Sequence, residues 1–308
     1  PGKQRLDLLA AVWAGRLGPE RRRPALAEAG FAAPAEIEHI LEHLREQIAR
    51  RPASADGGQR LDRLMPLILA EAVLTQQPAV ALARVVDLLL SIGRRTNYLA
   101  LLLENPSALR HLLRLVDASS LIASFLSRHP VLLDELLDPR TLYSPPGRDE
   151  MASELQRRLQ RLPAEELEYR MEEICIFRQV NTLRIAAADV TGTLPLMRVS
   201  DHLSDLAEII LGAVLEEAWR HLVERHGRPA GVSAEAPPGT GFGIIGYGKL
   251  GGLELGYGSD LDLVFLHSGG RGQTAGPQAI DNGQFFARIG QRLVHILTSH
   301  TRAGRIYD

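Results

Sequence analysis

The sequence predicts a predominantly helical α+β protein, with a helical N-terminal region followed by a domain that contains a small sheet. Two observations support this fold class. Apolar residues recur at the i, i+3, i+4 and i+7 spacing of a buried helix face over most of the chain up to His226. The pattern changes only after Gly241, where short apolar runs bounded by glycine indicate strands.

The region from Arg5 to Leu137 is expected to be helical almost throughout. Its apolar stripes include one formed by Leu109, Leu112, Leu113 and Val116. Proline suits the first turn of a helix and restricts the residue before it, so proline-containing stretches are expected to separate the helices. These breaks are predicted at Pro52 to Gly58, Gln76 to Pro78, Asn105-Pro106 and His129-Pro130.

A turn-rich connection from Asp138 to Gly147 is the predicted domain boundary, which gives a helical region at 1–145 and a second domain at 146–308. Helices are expected next, with a break at Thr191 to Leu196 and Ser200 or Asp201 as an N-cap. They are predicted at Asp149 to Arg161, Glu165 to Ala188 and Ser200 to His226.

The last part of the chain is expected to contain the sheet. After a linker from Gly227 to Gly241, the run FGIIGYG predicts a short strand, and LDLVFLH from Leu261 predicts a clearer one. A loop and a helix from Asn282 to Thr298 follow, and Gly304 to Asp308 is expected to begin another strand.

Composition excludes several classes of function. A net charge of −2 over 308 residues argues against a general nucleic-acid surface, and no apolar run is long enough to predict a membrane partner or span. The lone Cys175 excludes an internal disulfide framework, is expected to be a core residue, and favours a cytoplasmic location.

The stretch GFGIIGYGKLGG contains two overlapping G-x-G-x-x-G strings, which is the pattern of dinucleotide-binding turns. That fingerprint needs a strand before it and a crossover helix after it. The residues before Gly241 cannot form a buried strand, and too few residues separate Gly251 from Leu261 for a crossover helix. The sequence therefore disfavours NAD binding.

A pair of carboxylates offers a different interpretation. Asp260 and Asp262 are two positions apart at the start of a predicted strand, so they are expected to project from the same face. Two adjacent carboxylates repel each other unless they share a cation, and oxygen ligands suit Mg²⁺ or Mn²⁺. The pattern predicts catalytic and metal-binding roles for both residues.

The glycine-rich turn before this strand is the candidate phosphate-binding segment, because backbone N–H groups and a lysine can hold anions. Its residues are Gly248, Lys249, Gly251 and Gly252, with Ser259 as a further hydroxyl contact. Each feature alone has an ordinary structural explanation: a solvent-facing strand edge, a turn, or a surface lysine. Their combination favours metal-dependent nucleotidyl transfer.

The stretch GYGKLGGLELGYGSDLDLVFL resembles the bacterial glutamine synthetase adenylyltransferase/adenylyl-removing enzymes, a family within the polymerase-β-like nucleotidyltransferases. LLLENPSALRHLL, LRIAAADVTGTLPLMRVSDHL and FFARIGQRLVHILTSHTRAGRIYD are also similar to that family. The resemblance implies that 146–308 forms a polymerase-β-like nucleotidyltransferase domain and that ATP is the substrate.

The form ELGYGSDLDLVFLH is similar to the adenylylating unit of these enzymes. The resemblance therefore implies transfer of AMP from ATP to a tyrosine hydroxyl of glutamine synthetase, with release of pyrophosphate, in the regulation of nitrogen assimilation. Two alternatives stay open: the phosphorolytic adenylyl-removing unit, and a catalytically incomplete regulatory or docking fragment.

The resemblance also implies partners and a missing ligand. Glutamine synthetase, a PII-type signalling protein and glutamine as an effector are expected, with docking or regulatory roles for 1–145. The family places a third carboxylate in a later Tyr-acid-Val-Asp motif, whose first two positions match Tyr307 and Asp308. The third ligand is therefore expected two residues beyond Asp308, so the domain would be truncated and its activity low or absent.

Other polar residues give weaker indications. His202, His267, Arg178 and Arg184 are candidates for which a surface or structural role is the simpler interpretation. Glu254 fits the family motif. Two roles stay open for its carboxylate: it could support the metal ligands, or it could cap a helix.

Overall fold

The computed structural model of the protein describes residues 2–51, 54–93 and 95–307. Helices contain 68% of the chain and accompany a two-stranded antiparallel sheet, which confirms the predominantly helical α+β fold class. The chain divides into two compact units. The first comprises Pro1–Tyr143 with Ala186–Thr191, and the second comprises Ser144–Ile185 with Gly192–Asp308.

The first unit consists of helices and connecting turns. Three predicted breaks are confirmed, because helices begin at Pro78, Pro106 and Pro130 with proline in the first turn. The elements are α1 Gly2–Trp13, α2 Pro19–Ala29, α3 Pro34–Arg50, α4 Ala55–Ala72, α5 Pro78–Ile92, α6 Thr96–Glu104, α7 Pro106–Ala118, α8 Ser120–Arg128, a 3-10 helix Pro130–Leu137 and α9 Pro139–Leu142.

The break predicted from Pro52 to Gly58 extends too far. Helix α4 begins at Ala55 and includes both Gly57 and Gly58. The hydroxyl of Ser54 accepts a hydrogen bond from Gly57 N at 3.2 Å, so N-capping outweighs the low helix propensity of the two glycines. Pro52 and Ala53 lie outside the described residues.

The second unit combines long helices with the sheet. Helix α14 has the predicted bounds, and its Phe285, Ile289, Leu293 and Ile296 are buried as expected. The elements are α10 Arg148–Gln160, α11 Leu167–Val190, whose last turn belongs to the first unit, α12 Leu196–His226, β1 Phe242–Tyr247, α13 Gly248–Gly251, β2 Asp262–His267 and α14 Asn282–Thr298.

The predicted start of α12 is wrong. The helix begins at Leu196, preceded by Pro195, so Ser200 and Asp201 lie inside it and neither is its N-cap. Proline restricts the backbone before a helix but is compatible with its start, and here the φ of −62° at Pro195 leads directly into the helix.

The predicted strand at the end of the chain is also absent from the described residues 304–307. Gly304 instead pairs with Thr301 in an isolated bridge that closes a tight turn. Ile306 is fully buried, and Tyr307 N donates to Leu297 O at 3.0 Å, so this segment packs against the end of α14. Asp308 lies outside the described residues.

Helix α12 organises the second unit, since it packs against both α10 and α14. The hairpin contributes one face to this core, with Ile244, Leu263 and Phe265 packed against buried residues. Trp219 meets the ring of Phe285 edge-on at 5.4 Å. The hairpin is therefore held to the helices by one apolar face, which leaves its other face exposed.

Among the described residues, no helix combines the length and the apolar character that crossing a bilayer requires.

Candidate functional site

Strands β1 and β2 form an antiparallel pair in which Phe242 faces His267 and Tyr247 faces Asp262. The connection between the strands begins with the short helix α13 and contains no crossover helix. A dinucleotide fingerprint requires parallel strands joined by such a helix. The geometry therefore excludes that interpretation of the glycine string.

The two aspartates lie on the exposed side of the hairpin. Asp260, Asp262 and Val264 are exposed, whereas the alternate residues Leu261 and Leu263 are partly buried and pack against the core. Strand β2 begins at Asp262, so Asp260 precedes it and the predicted start at Leu261 is one residue early. The alternation nevertheless continues through Asp260, which places both carboxylates on one side.

Asp262 approaches the backbone of Gly248 closely. A Cβ atom at Gly248 would collide with Asp262 Oδ2, and Gly248 also has a φ of +55°, which glycine adopts without strain. Glycine at this position therefore allows the carboxylate to lie directly against the turn. This contact joins the predicted phosphate-binding segment to the predicted metal ligand.

Gly251 in this segment and Gly246 in β1 have a packing role. A Cβ atom at Gly251 would lie 2.5 Å from Gly246 O, and one at Gly246 would lie 2.9 Å from the side chain of Leu250. These glycines let α13 fold back closely onto β1, with Leu250 buried beneath. The structure thus gives a packing reason for Gly251, which the sequence predicted as a phosphate contact.

The remaining predicted phosphate contacts differ in whether their hydrogen-bond donors are already engaged within the protein. Lys249 is exposed, and within the described residues its ammonium has no hydrogen-bond or ion-pair partner. Gly252 N already donates to Gly248 O at 3.0 Å. Ser259 Oγ accepts from Gly256 N at 3.0 Å and thereby closes a turn, which leaves its hydroxyl hydrogen able to donate.

No described side chain compensates the charge of either aspartate. In the part of the chain that the structure describes, neither Asp260 nor Asp262 takes part in a hydrogen bond or an ion pair through its side chain. No cluster of three or more His, Cys, Asp or Glu side chains suited to a metal occurs in that same part. The expected third carboxylate lies outside it.

The loop after α13 contains a strained residue that the sequence did not indicate. Leu253 has a φ of +55°, which costs a residue with a Cβ about 1–2 kcal/mol, and its side chain is exposed. The next residue is tied back by a hydrogen bond of 2.8 Å from Glu254 N to Lys249 O. Among the described residues the carboxylate of Glu254 makes no hydrogen bond, so it does not cap α13.

The weaker candidates have structural contacts. His267 stacks on Phe286 at 5.1 Å, at the opposite end of β2 from Asp262. Arg184 forms an ion pair of 3.4 Å with Glu154, and the guanidinium of Arg178 lies 5.1 Å from the ring centre of Tyr307.

His202 lies within α12, and burial lowers its pKa below the usual value. A lowered pKa keeps the imidazole neutral near pH 7.

Tyr247 is the residue of this region that sequence reasoning missed. It faces Asp262 across the hairpin and is 57% exposed. Alternation along β1, with Ile244 inward and Ile245 outward, predicts that Tyr247 lies on the exposed face. The sequence alone does not predict the strand register that places Tyr247 opposite Asp262.

Comparison with known proteins assigns the chain to a family. The family model for glutamate-ammonia ligase adenylyltransferase matches residues 109–308. The chain is 51% identical over 304 residues to the bifunctional glutamine synthetase adenylyltransferase/adenylyl-removing enzyme of Thioalkalivibrio sulfidiphilus (strain HL-EbGR7), covering 98% of this chain and 31% of that protein.

Two further relatives have the same description. The protein of Nitrosococcus oceani is 51% identical over 302 residues, covering 97% of this chain and 31% of its own length. The protein of Pseudomonas putida is 48% identical over 298 residues, covering 96% and 30% respectively. The chain thus spans about 30–31% of the length of these three relatives. With the family model matching well over half of its residues, the chain belongs to the glutamate-ammonia ligase adenylyltransferase family.

Proposed function

We propose that this chain carries the adenylyl-transferring site of its family, which moves AMP from ATP to a tyrosine hydroxyl of glutamine synthetase. The observation that carries the proposal is the position of Asp262 against Gly248, with Asp260 on the same exposed side of the hairpin. This arrangement brings a carboxylate pair next to a glycine-rich turn. The family supplies the class of reaction, because the names of its members describe adenylyltransferases of glutamine synthetase.

The carboxylate pair fits a divalent cation. Asp260 and Asp262 are exposed, and no cationic side chain among the described residues neutralises them. Carboxylate oxygens are the donors that Mg²⁺ and Mn²⁺ prefer. When bound, such a cation would offset negative charge on the phosphate oxygens of ATP.

The connection between the strands contributes a cation and a hydrogen-bond donor for the rest of the triphosphate. Lys249 would supply a mobile point charge, and the hydroxyl of Ser259 would donate one hydrogen bond. Gly248 permits close approach of the backbone to the phosphates. Gly251 and Gly252 would act mainly by shaping the turn, because Gly251 packs against Gly246 and the N–H of Gly252 already donates to Gly248 O.

In the proposed reaction, the tyrosine oxygen attacks the α-phosphorus of ATP and forms a new O–P bond. The bond from that phosphorus to the β-phosphate oxygen breaks, and pyrophosphate leaves with the electron pair. The phenolic proton passes to a general base, and the third carboxylate expected from the resemblance is the natural group for that role. Asp260 and Asp262 act by positioning and by charge stabilisation.

Calorimetric titration with ATP tests the site in this chain. We expect binding that requires Mg²⁺ or Mn²⁺ and that is lost in the double variant Asp260→Asn, Asp262→Asn. The matched control is Asp149→Asn with Glu150→Gln, which removes two exposed carboxylates from the first turn of α10. ATP binding that is equally strong in the wild type and the aspartate double variant would overturn the metal site and favour a docking role.

A transfer assay tests the chemistry. Label from ATP marked at the α-phosphate should appear on a tyrosine of glutamine synthetase when a full-length relative is used, and the corresponding aspartate substitutions should abolish it. Absence of labelling by the unsubstituted enzyme would contradict the proposal.

The adenylyl-removing activity is the second candidate, because the relatives' names include both activities. It predicts phosphate-dependent release of ADP from adenylylated glutamine synthetase. Release at a rate that depends on Asp260 and Asp262, without transfer from ATP, would favour this candidate.

For the helical first unit we propose a docking or regulatory role toward a PII-type protein, with glutamine as effector. Titration of a PII-type protein into the chain, with and without glutamine, tests this role. Binding that is unchanged when the first unit is removed from a full-length relative would contradict it.

A further inference from the structure

The exposed face of the hairpin is apolar and begins at the candidate metal ligand. It carries three cross-strand pairs: Tyr247 with Asp262, Ile245 with Val264, and Gly243 with Leu266. The four apolar side chains are between 40% and 57% exposed: Tyr247 57%, Ile245 40%, Val264 42% and Leu266 55%. We refer to these four residues as the outer face.

The outer face is one continuous surface. Directly opposed residues in an antiparallel pair lie about 4.5–5.5 Å apart, and successive pairs on one face lie about 7 Å apart along the strands. Tyr247 is therefore next to Asp262, and the pair of Ile245 and Val264 follows within one such step. Gly243 adds no side chain at the far end, where a Cβ atom would meet only Leu266 O, at 3.9 Å.

The chemistry changes along this surface in the same order as it does along a nucleoside triphosphate. One end has carboxylates, a lysine and a glycine turn, which suit a metal-bound triphosphate. The neighbouring part is an aromatic ring beside two aliphatic side chains, which suits a flat aromatic base, since bases stack on tyrosine.

We propose that the outer face binds the adenine base of ATP, with Tyr247 as the stacking residue and Ile245 and Val264 as the apolar floor. This inference rests on the proposed function, because it takes the triphosphate to lie at Asp260, Asp262 and Lys249. Tyr247 contributes to affinity and base selection in this arrangement, and it takes no part in the reacting bonds.

Binding measurements with three ligands test the inference: ATP, UTP and inorganic tripolyphosphate, each with Mg²⁺. Substitution Tyr247→Ala should weaken ATP binding about tenfold, which equals about 1.4 kcal/mol, and leave tripolyphosphate binding unchanged. Tyr247→Phe should bind ATP as the wild type does, because stacking needs the ring and not the hydroxyl. The wild type should prefer ATP to UTP, and Tyr247→Ala should reduce that preference.

Tyr169→Ala is the matched control, because Tyr169 lies in the same unit and is 53% exposed. It should leave binding of all three ligands unchanged. Thermal unfolding of each variant confirms that the proteins compared are folded.

Two outcomes would overturn the inference. One is equal weakening of ATP and tripolyphosphate by Tyr247→Ala, and the other is no change in ATP binding. The second outcome would indicate that the outer face binds a protein segment instead, such as one from the acceptor glutamine synthetase. Failure of the proposed function is separate: it would appear as tripolyphosphate binding that is insensitive to Asp260→Asn with Asp262→Asn.

A photoreactive 8-azido analogue of ATP provides an independent measurement on the unsubstituted protein. Illumination should label the peptide that contains Tyr247 or the one that contains Val264, and excess ATP should prevent this labelling. Labelling confined to other peptides would contradict the inference.

Discussion

The carboxylate of Asp262 lies where the side chain of any larger residue at Gly248 would have to be. Gly248 directly follows the end of β1 and Asp262 is the first residue of β2, and the register that opposes Tyr247 to Asp262 brings them together. The glycine turn therefore sets the position of the carboxylate as well as the path of the backbone.

This relationship makes Gly248→Ala a sensitive substitution. The new methyl group would displace Asp262 Oδ2, and a φ of +55° costs an alanine about 1–2 kcal/mol. We expect at least tenfold weaker binding of ATP with Mg²⁺ and a loss of about 1–2 kcal/mol in unfolding free energy. Calorimetry and urea unfolding measure the two effects.

Gly258→Ala is the control for this substitution. Gly258 lies in the same connection between the strands and has no positive φ, and the place that a methyl group would take there is open, with no atom within 4 Å. It should bind ATP as the wild type does. Equal effects of the two substitutions would mean that the contact between Gly248 and Asp262 is irrelevant to binding.

A second prediction concerns a buried ion pair in the helical part of the second unit. Arg170 Nη2 lies 2.6 Å from Glu217 Oε1, and both side chains are under 10% exposed. Glu217→Gln would leave the guanidinium buried without its counter-charge, so we expect a loss of about 3–5 kcal/mol in unfolding free energy. Urea unfolding followed by circular dichroism measures it.

The exposed pair of Arg198 and Asp201, at 3.7 Å, provides the comparison. Asp201→Asn should change the unfolding free energy by less than about 1 kcal/mol, because solvent screens this pair. A small effect of Glu217→Gln, similar to that of Asp201→Asn, would show that water or a rearranged side chain compensates Arg170.

The elements with strong periodicity were predictable from the sequence. Helix α14 has its predicted bounds because Phe285, Ile289, Leu293 and Ile296 define one buried face and Asn282 marks its start. The strand expected after Gly304 was wrong, since a short apolar run becomes a strand only with a partner, and here Thr301 closes a turn instead. Local sequence does not specify such tertiary pairing.

The sequence predicted which residues form the candidate site, but not how all of them are arranged relative to one another. The spacing of Asp260 and Asp262 gave their common side, because alternation along an extended chain is a local property. The approach of Asp262 to Gly248 and the position of Tyr247 depend on the register between the strands. Because the connection between β1 and β2 is long, no short-turn rule specifies that register.

A third prediction concerns stability at high pH. Burial raises the pKa of Tyr307 to about 12, whereas an unfolded tyrosine titrates near 10. Because the folded state holds this proton more tightly, its contribution to stability is complete below about pH 10 and is lost as the pH rises to about 12. The unfolding free energy should therefore fall over this range more steeply in the wild type than in Tyr307→Phe. Equal slopes in the two proteins would contradict the shift.

A fourth prediction concerns the thiol of Cys175. The side chain is fully buried, burial raises its pKa, and Sγ donates to Arg305 O at 3.2 Å. A thiol reagent acts on the thiolate, so the native protein should react at least 100-fold more slowly than the unfolded chain near pH 8. The absorbance change with a disulfide reagent measures this rate, and increasing urea should raise it in parallel with unfolding of the second unit. Rapid labelling of the native protein would mean that the contact between α11 and the segment around Arg305 opens without unfolding of the core.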